Sequence, residues 1–181
     1  MQQTTDARQA WILCGYERFA REGTAGLKIE VMAKAVFKSK SSFYHYFADT
    51  EVFTELLLQY HLERAQWMAE RELACQNIVP ELLHVILEFK QDLLFNRQLR
   101  VLRQIPAFKE CFEKANQFVG GGIVQLWANE LGLREQSHLA GLILNLSMEN
   151  FFLQITEETL TYEWLSQYVF DLKKMVAAFK T

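Results

Sequence analysis

The chain has 181 residues, half of them apolar, and a net charge of −3. That apolar supply suffices for a substantial core and excludes a disordered polymer, while the small negative balance excludes a protein that coats nucleic acid over its whole surface. Three widely spaced cysteines, Cys14, Cys75 and Cys111, lack metal-ligand spacing and exclude a disulfide framework; they read as buried thiols in a reducing compartment.

The first helix is predicted after a cap at Thr5 or Asp6, because Trp11, Ile12, Gly15, Tyr16, Phe19 and Ala20 recur at helical spacing. Gly23-Thr24-Ala25-Gly26 ends it. Short helices are expected over about 29–35 and about 39–46, and Asp49 or Thr50 caps a long helix running to about residue 74. Its apolar face is read from Val52, Phe53, Leu56, Leu57, Tyr60 and Trp67. Pro80 suits a first turn, and further helices are predicted near 79–96, 106–131, 135–157 and 160–179. Their joints fall at Asn96-Arg97-Gln98, Leu131-Gly132-Leu133 and Glu158-Thr159. No strand-like alternation persists, so the fold class is all-α: an N-terminal three-helix domain over 1–50, then a helical domain over 51–181. Gly120-Gly121-Gly122 lacks the strand and the Lys-Ser/Thr of a phosphate loop, and is expected to break or kink its helix or admit a close neighbour.

The polar N-terminus, Met1 to Asp6, has no signal-peptide order. The most apolar run, Leu139 to Met148, is broken by Asn145 and Ser147 and closed by Glu149. No membrane partner is expected, and a cytoplasmic location is. His61, His84 and His138 have no neighbour at ligand or dyad spacing, so neither an enzyme, a metal site nor a cofactor is expected.

The most informative segment is Ser39-Lys40-Ser41-Ser42-Phe43-Tyr44-His45-Tyr46-Phe47. Phe43 and Phe47 stand four apart and can anchor a helix from behind, leaving small hydroxyls and a lysine in front. A short helix of this kind, following another, is what helix-turn-helix readers present to the major groove of double-stranded DNA. Residues 1–48 hold seven Lys/Arg against four Asp/Glu, whereas residues 49–181 hold twelve against eighteen, which suits a small DNA module joined to a different domain.

Over roughly the first 55 positions the chain resembles the N-terminal domain of the tetracycline-repressor (TetR) family. The resemblance rests on Phe19-Ala20 with Gly23, then Ile29, Met32-Ala33-Lys34-Ala35, Ser39-Lys40, Phe43-Tyr44-His45-Tyr46-Phe47 and Glu51. The remainder is similar only in length and helical character. The resemblance implies a homodimeric regulator, a repressor released from its operator by a small apolar effector. Two positions depart from the family pattern. Phe37 stands where a turn glycine is usual and is followed by Lys38, so the turn is expected to be remodelled or the third helix re-angled. Lys28 replaces a Ser or Thr at the start of the second helix; it can meet a phosphate but cannot cap.

The expected DNA-contacting residues are Lys28, Lys38, Ser39, Lys40, Ser41, Ser42, Tyr44 and His45, with Tyr44 matching the family tyrosine that meets the backbone. Phe43 and Phe47 read as core, and Tyr46 fits either role. Phe89, Leu93, Phe108, Phe112, Trp127 and Phe151 could line an effector site or could be plain core. The dimer is expected on the last two helices, through Leu139, Leu142, Ile143, Leu146 and Phe151 with Trp164, Leu165, Tyr168, Val169, Leu172 and Val176. A second reading is a dimeric helical interaction protein that keeps the fold without sequence-specific DNA binding.

Overall fold

A computed structural model describes the backbone of residues 2–178 and the side chains of residues 7–118, 123–136 and 138–178. Among these residues all regular structure is helical, with no strand. The helices are α1 (Gln2–Glu22), α2 (Ile29–Ala35), α3 (Lys40–Tyr46), α4 (Thr50–Leu73), α5 (Leu83–Glu88), α6 (Lys90–Val101), α7 (Pro106–Glu130), α8 (Ser137–Gln154) and α9 (Tyr162–Ala178). They form two compact units. One comprises Met1–Arg64 and Gln91–Lys114; the other comprises Ala65–Lys90 and Ala115–Thr181. The division expected at residue 50 thus falls inside the first unit, and α4 contributes to both.

The first unit is built around aromatic rings. Trp11, Phe19, Phe43, Phe47, Phe53 and Phe95 are almost fully buried. Trp11 meets Phe43 edge-on at 5.3 Å between centroids, and Phe53 meets Phe43 at 5.2 Å and Phe47 at 4.8 Å. Each buried Phe contributes about 1.5–3 kcal/mol, with about 0.5–1.5 kcal/mol more for a well-oriented pair. Gly15 allows this packing: a Cβ there would stand 2.5 Å from Phe53 Cζ. Gly26 is equally constrained, since its Cβ would meet the Arg18 carbonyl oxygen at 2.6 Å.

Several boundaries differ from the sequence-based expectation. α1 already includes Thr5 and Asp6, whose side chains lie outside the described residues, so neither starts the helix. Asp49 does cap α4, its Oδ1 accepting from the amides of Glu51 and Val52 at 2.9 Å. Pro80 lies in a helical turn over Ile78–Leu82 ahead of α5, after Val79 at non-helical φ −111° and ψ 118°. The helix expected over 79–96 is divided at Phe89, between α5 and α6. Asn96-Arg97-Gln98 is no joint; it lies inside α6, where Asn96 is buried, as are Leu93, Leu94, Phe95 and Leu99, and the chain turns after Val101 instead. The joint at Gly132 is as expected. Gly132 has φ +65°, its amide donates to the Asn129 carbonyl, and the Leu133 amide donates to that of Ala128. α7 runs through Gly120-Gly121-Gly122 without ending.

In the second unit, α9 buries Leu165, Val169, Leu172 and Val176, spaced for one helical face, and packs on α5. Phe151 of α8 contacts Trp164 and Tyr168 of α9, and the Tyr168 hydroxyl donates to the Ser147 carbonyl at 2.6 Å. No helix among the described residues is long and apolar enough to cross a membrane.

Candidate nucleic-acid interface

Helix α3 is short, so its geometry depends on its ends and its back. At the N-cap the Ser39 hydroxyl oxygen accepts from the Ser42 amide at 3.3 Å and pairs with the Ser41 hydroxyl at 2.8 Å. On the inner side Phe43 is fully buried, and Phe47, the residue closing the helix, is 1 % exposed. On the outer side Lys40 and Tyr44 stand four apart, as do Ser41 and His45, and all four are exposed. Ser42 is half-buried, while Tyr44 meets Phe43 edge-on and His45 meets Tyr46. Lys28 and Lys38 are exposed, and Lys28 occupies the N-cap of α2 without a side-chain cap, as its chemistry requires. Of the eight residues expected at this interface, seven are therefore exposed at α3 or at the two ends of α2.

One participant was not apparent from the sequence. Glu30 of α2 forms an ion pair with Lys40, and that hydrogen bond holds the Glu30 carboxyl below its ordinary range. Both groups are open to solvent, where such pairs are weak, so a phosphate can compete for the ammonium.

The turn between α2 and α3 is the strained part of the site. Phe37 has φ +55°. The Phe37 amide donates to the Lys34 carbonyl at 3.3 Å and the Lys38 amide to that of Ala33 at 2.9 Å. This is the helix-ending pattern that Gly132 makes at α7. The left-handed turn is thus formed as a glycine would form it, and the expected remodelling does not occur. A non-glycine residue in this conformation costs about 1–2 kcal/mol. The Phe37 ring recovers none of that cost by burial, since it is 93 % exposed.

The first unit also contains a buried polar cluster. The Tyr16 hydroxyl donates to Asp92 Oδ1 at 2.8 Å and lies 2.7 Å from His61 Nδ1. Arg64 grips Asp92 with two hydrogen bonds, Nε to Oδ1 at 2.9 Å and an η nitrogen to Oδ2 at 2.8 Å. The single Tyr16 proton goes to Asp92, while the His61 ring places Nε2 3.4 Å from Asn96 Oδ1 and stacks on Phe95. Burial drives the His61 pKa down to about 4, against the opposing pull of Asp92 and Asn96. Burial and then Asp92 raise that of Tyr16 well above the ordinary phenol value. Tyr16, His61 and Asp92 are all nearly solvent-inaccessible. The cluster joins α1, α4 and α6, and residues this distant in sequence give no spacing signal.

The expected effector residues are divided between the units. Leu93, Phe108 and Phe112 belong to the first, and Phe89, Trp127 and Phe151 to the second. All but half-buried Phe112 are buried; Phe108 packs edge-on against Phe19, and Phe89 against Trp67. Glu72 of α4, in the second unit, was not singled out from the sequence. It is 3 % exposed, its Oε2 has no hydrogen-bond partner, and burial pushes its carboxyl pKa up to about 8. Cys111 is buried and its thiol is pushed up to about 12, but Cys14 and Cys75 are only half-buried, contrary to the expectation for all three.

On α8, Leu139, Leu142 and Leu146 are exposed, as is Leu153, which was not expected. The α9 residues expected beside them separate differently: Leu165, Val169, Leu172 and Val176 belong to the core, while Phe170 and Met175 are exposed. Phe151 is likewise core, whereas Ile143, Trp164 and Tyr168 are half-buried. No protein-family model and no curated protein matches this sequence.

Proposed function

We propose that the protein is a homodimeric DNA-binding transcriptional regulator, acting as a repressor that a small apolar molecule releases from its operator. The observation that carries this reading is the two-sided character of α3. Its aromatic back is locked into the core by Phe43 and Phe47, and its front offers Lys40, Ser41, Tyr44 and His45 to solvent. A rigidly backed helix with small and cationic side chains in front suits the edges of base pairs and the flanking phosphates. The exposed leucines of α8 leave apolar surface that a second copy would cover. The effector reading draws on buried aromatic positions within a unit, such as Phe108 in the first or Phe89 in the second; an effector there acts by opening packed ring contacts, which suits an apolar molecule.

The ion pair between Glu30 and Lys40 favours a second reading, a helical interaction protein that no longer binds DNA by sequence. Selection from a random duplex library separates the two. The regulator should enrich a near-palindromic motif, and absence of any two-fold motif would refute it. On the enriched duplex, Lys40→Ala should weaken binding and reduce the magnitude of the salt slope by about 1, the signature of one lost phosphate contact. An unchanged slope removes Lys40 from the interface.

A further inference from the structure

We infer that Phe37 is a specificity-determining residue that reads the C5-methyl group of a thymine in each operator half-site. The inference rests on the DNA-binding reading and extends it to a residue outside α3. Three observations converge on residue 37. Its backbone is left-handed, a conformation that glycine adopts freely and phenylalanine does not. Its ring is 93 % exposed, so packing among the described residues does not account for an aromatic side chain there. Its surroundings are cationic: residues 28–40 contain four lysines and a single acidic residue, in a chain whose net charge is −3.

An exposed ring alone could meet any apolar surface. The lysines narrow the choice, because Lys28, Lys34, Lys38 and Lys40 favour a polyanion over a neutral protein surface. Only two residues, Lys38 and Ser39, separate Phe37 from Lys40, the first residue of α3. A ring carried at that distance from the N-terminal end of a groove-reading helix is within reach of base edges. On the major-groove edge the one apolar group is the thymine methyl, and phenylalanine is among the side chains suited to it. The hydrogen bonds from the amides of Phe37 and Lys38 hold the turn in place, so the ring projects from a fixed backbone.

The test uses the full chain and the duplex enriched by random-sequence selection, with each thymine replaced in turn by deoxyuridine, which removes only the methyl. The wild-type protein should lose about fourfold in affinity at one symmetry-related thymine per half-site, the factor carried by one buried methylene-sized group. Phe37→Gly should be insensitive to that replacement while keeping the salt slope, and its melting temperature should rise as the turn strain is released. Phe37→Leu should retain part of the discrimination. A wild-type protein indifferent to deoxyuridine at every position overturns the inference and leaves the regulator reading intact. So does a Phe37→Gly variant with undiminished discrimination, or one weakened equally on specific and random duplexes. If selection enriches no motif, the regulator reading fails and this inference with it. Loss of self-association or of binding to anionic vesicles in Phe37→Gly, with DNA discrimination unaltered, would assign the ring to another partner.

Discussion

Glu72→Gln should gain stability relative to the wild type as the pH rises. Glu72 occupies the buried stripe of α4 with Ala65, Met68 and Ala69, and its Oε2 has no partner. Desolvation raises its folded pKa to about 8 from the ordinary 4.5. Between these values the folded chain holds a proton that the unfolded chain releases. The stability associated with the protonated group is therefore complete below pH 4.5 and is lost as the pH rises through 8. At about 1.36 kcal/mol per pKa unit the full loss is about 5 kcal/mol, of which about 3 kcal/mol has accrued by pH 7. Glutamine preserves the volume and carries no titrating proton. Any penalty for its amide is independent of pH, so the slope is diagnostic and the offset is not. Urea denaturation of both proteins at pH 5, 7 and 9, followed by helical circular dichroism at one protein concentration, gives the difference directly. A constant gap across that range would refute the argument and mean that Glu72 ionises without strain in the folded state.

His61 should produce the opposite trend in acid. Its folded pKa of about 4 lies below the ordinary 6.5, so its contribution is complete above pH 6.5 and is lost as the pH falls through 4, by about 3 kcal/mol. His61→Gln should flatten this part of the stability curve, and an unchanged acid limb in denaturation experiments would contradict the assignment. Leu146→Lys, at a position 72 % exposed, should give a folded monomer, whereas Leu172→Lys, at a buried one, should lower the melting temperature by placing an unpaired charge in the core. Sedimentation together with thermal melts distinguishes these outcomes, and a Leu146→Lys dimer would move the interface away from α8.

Local chemistry determined much of this protein. Helical periodicity, with turn glycines and an Asp49 cap, was sufficient to place α2, α3, the start of α4 and the joint at Gly132, because those signals lie within a few residues of the structure they cause. The four-residue spacing of Phe43 and Phe47 likewise identified the buried side of α3, and hence its exposed front. Tertiary packing decided the rest. Asn96 resembles a helix joint until tertiary packing buries it against His61, and the apolar row of α9 resembles an interface until it is consumed by its own unit's core. The buried face of α4 includes His61 and Glu72, while Val52 and Trp67 remain exposed, a choice that hydrophobicity alone would have reversed. Tyr16, His61, Arg64 and Asp92 meet only because three helices converge. At Phe37 the residue argued against a left-handed turn, but the hydrogen bonds closing α2 prevailed over its local preference and left the ring in solvent, because a backbone constraint shared by several residues outweighs the conformational bias of one.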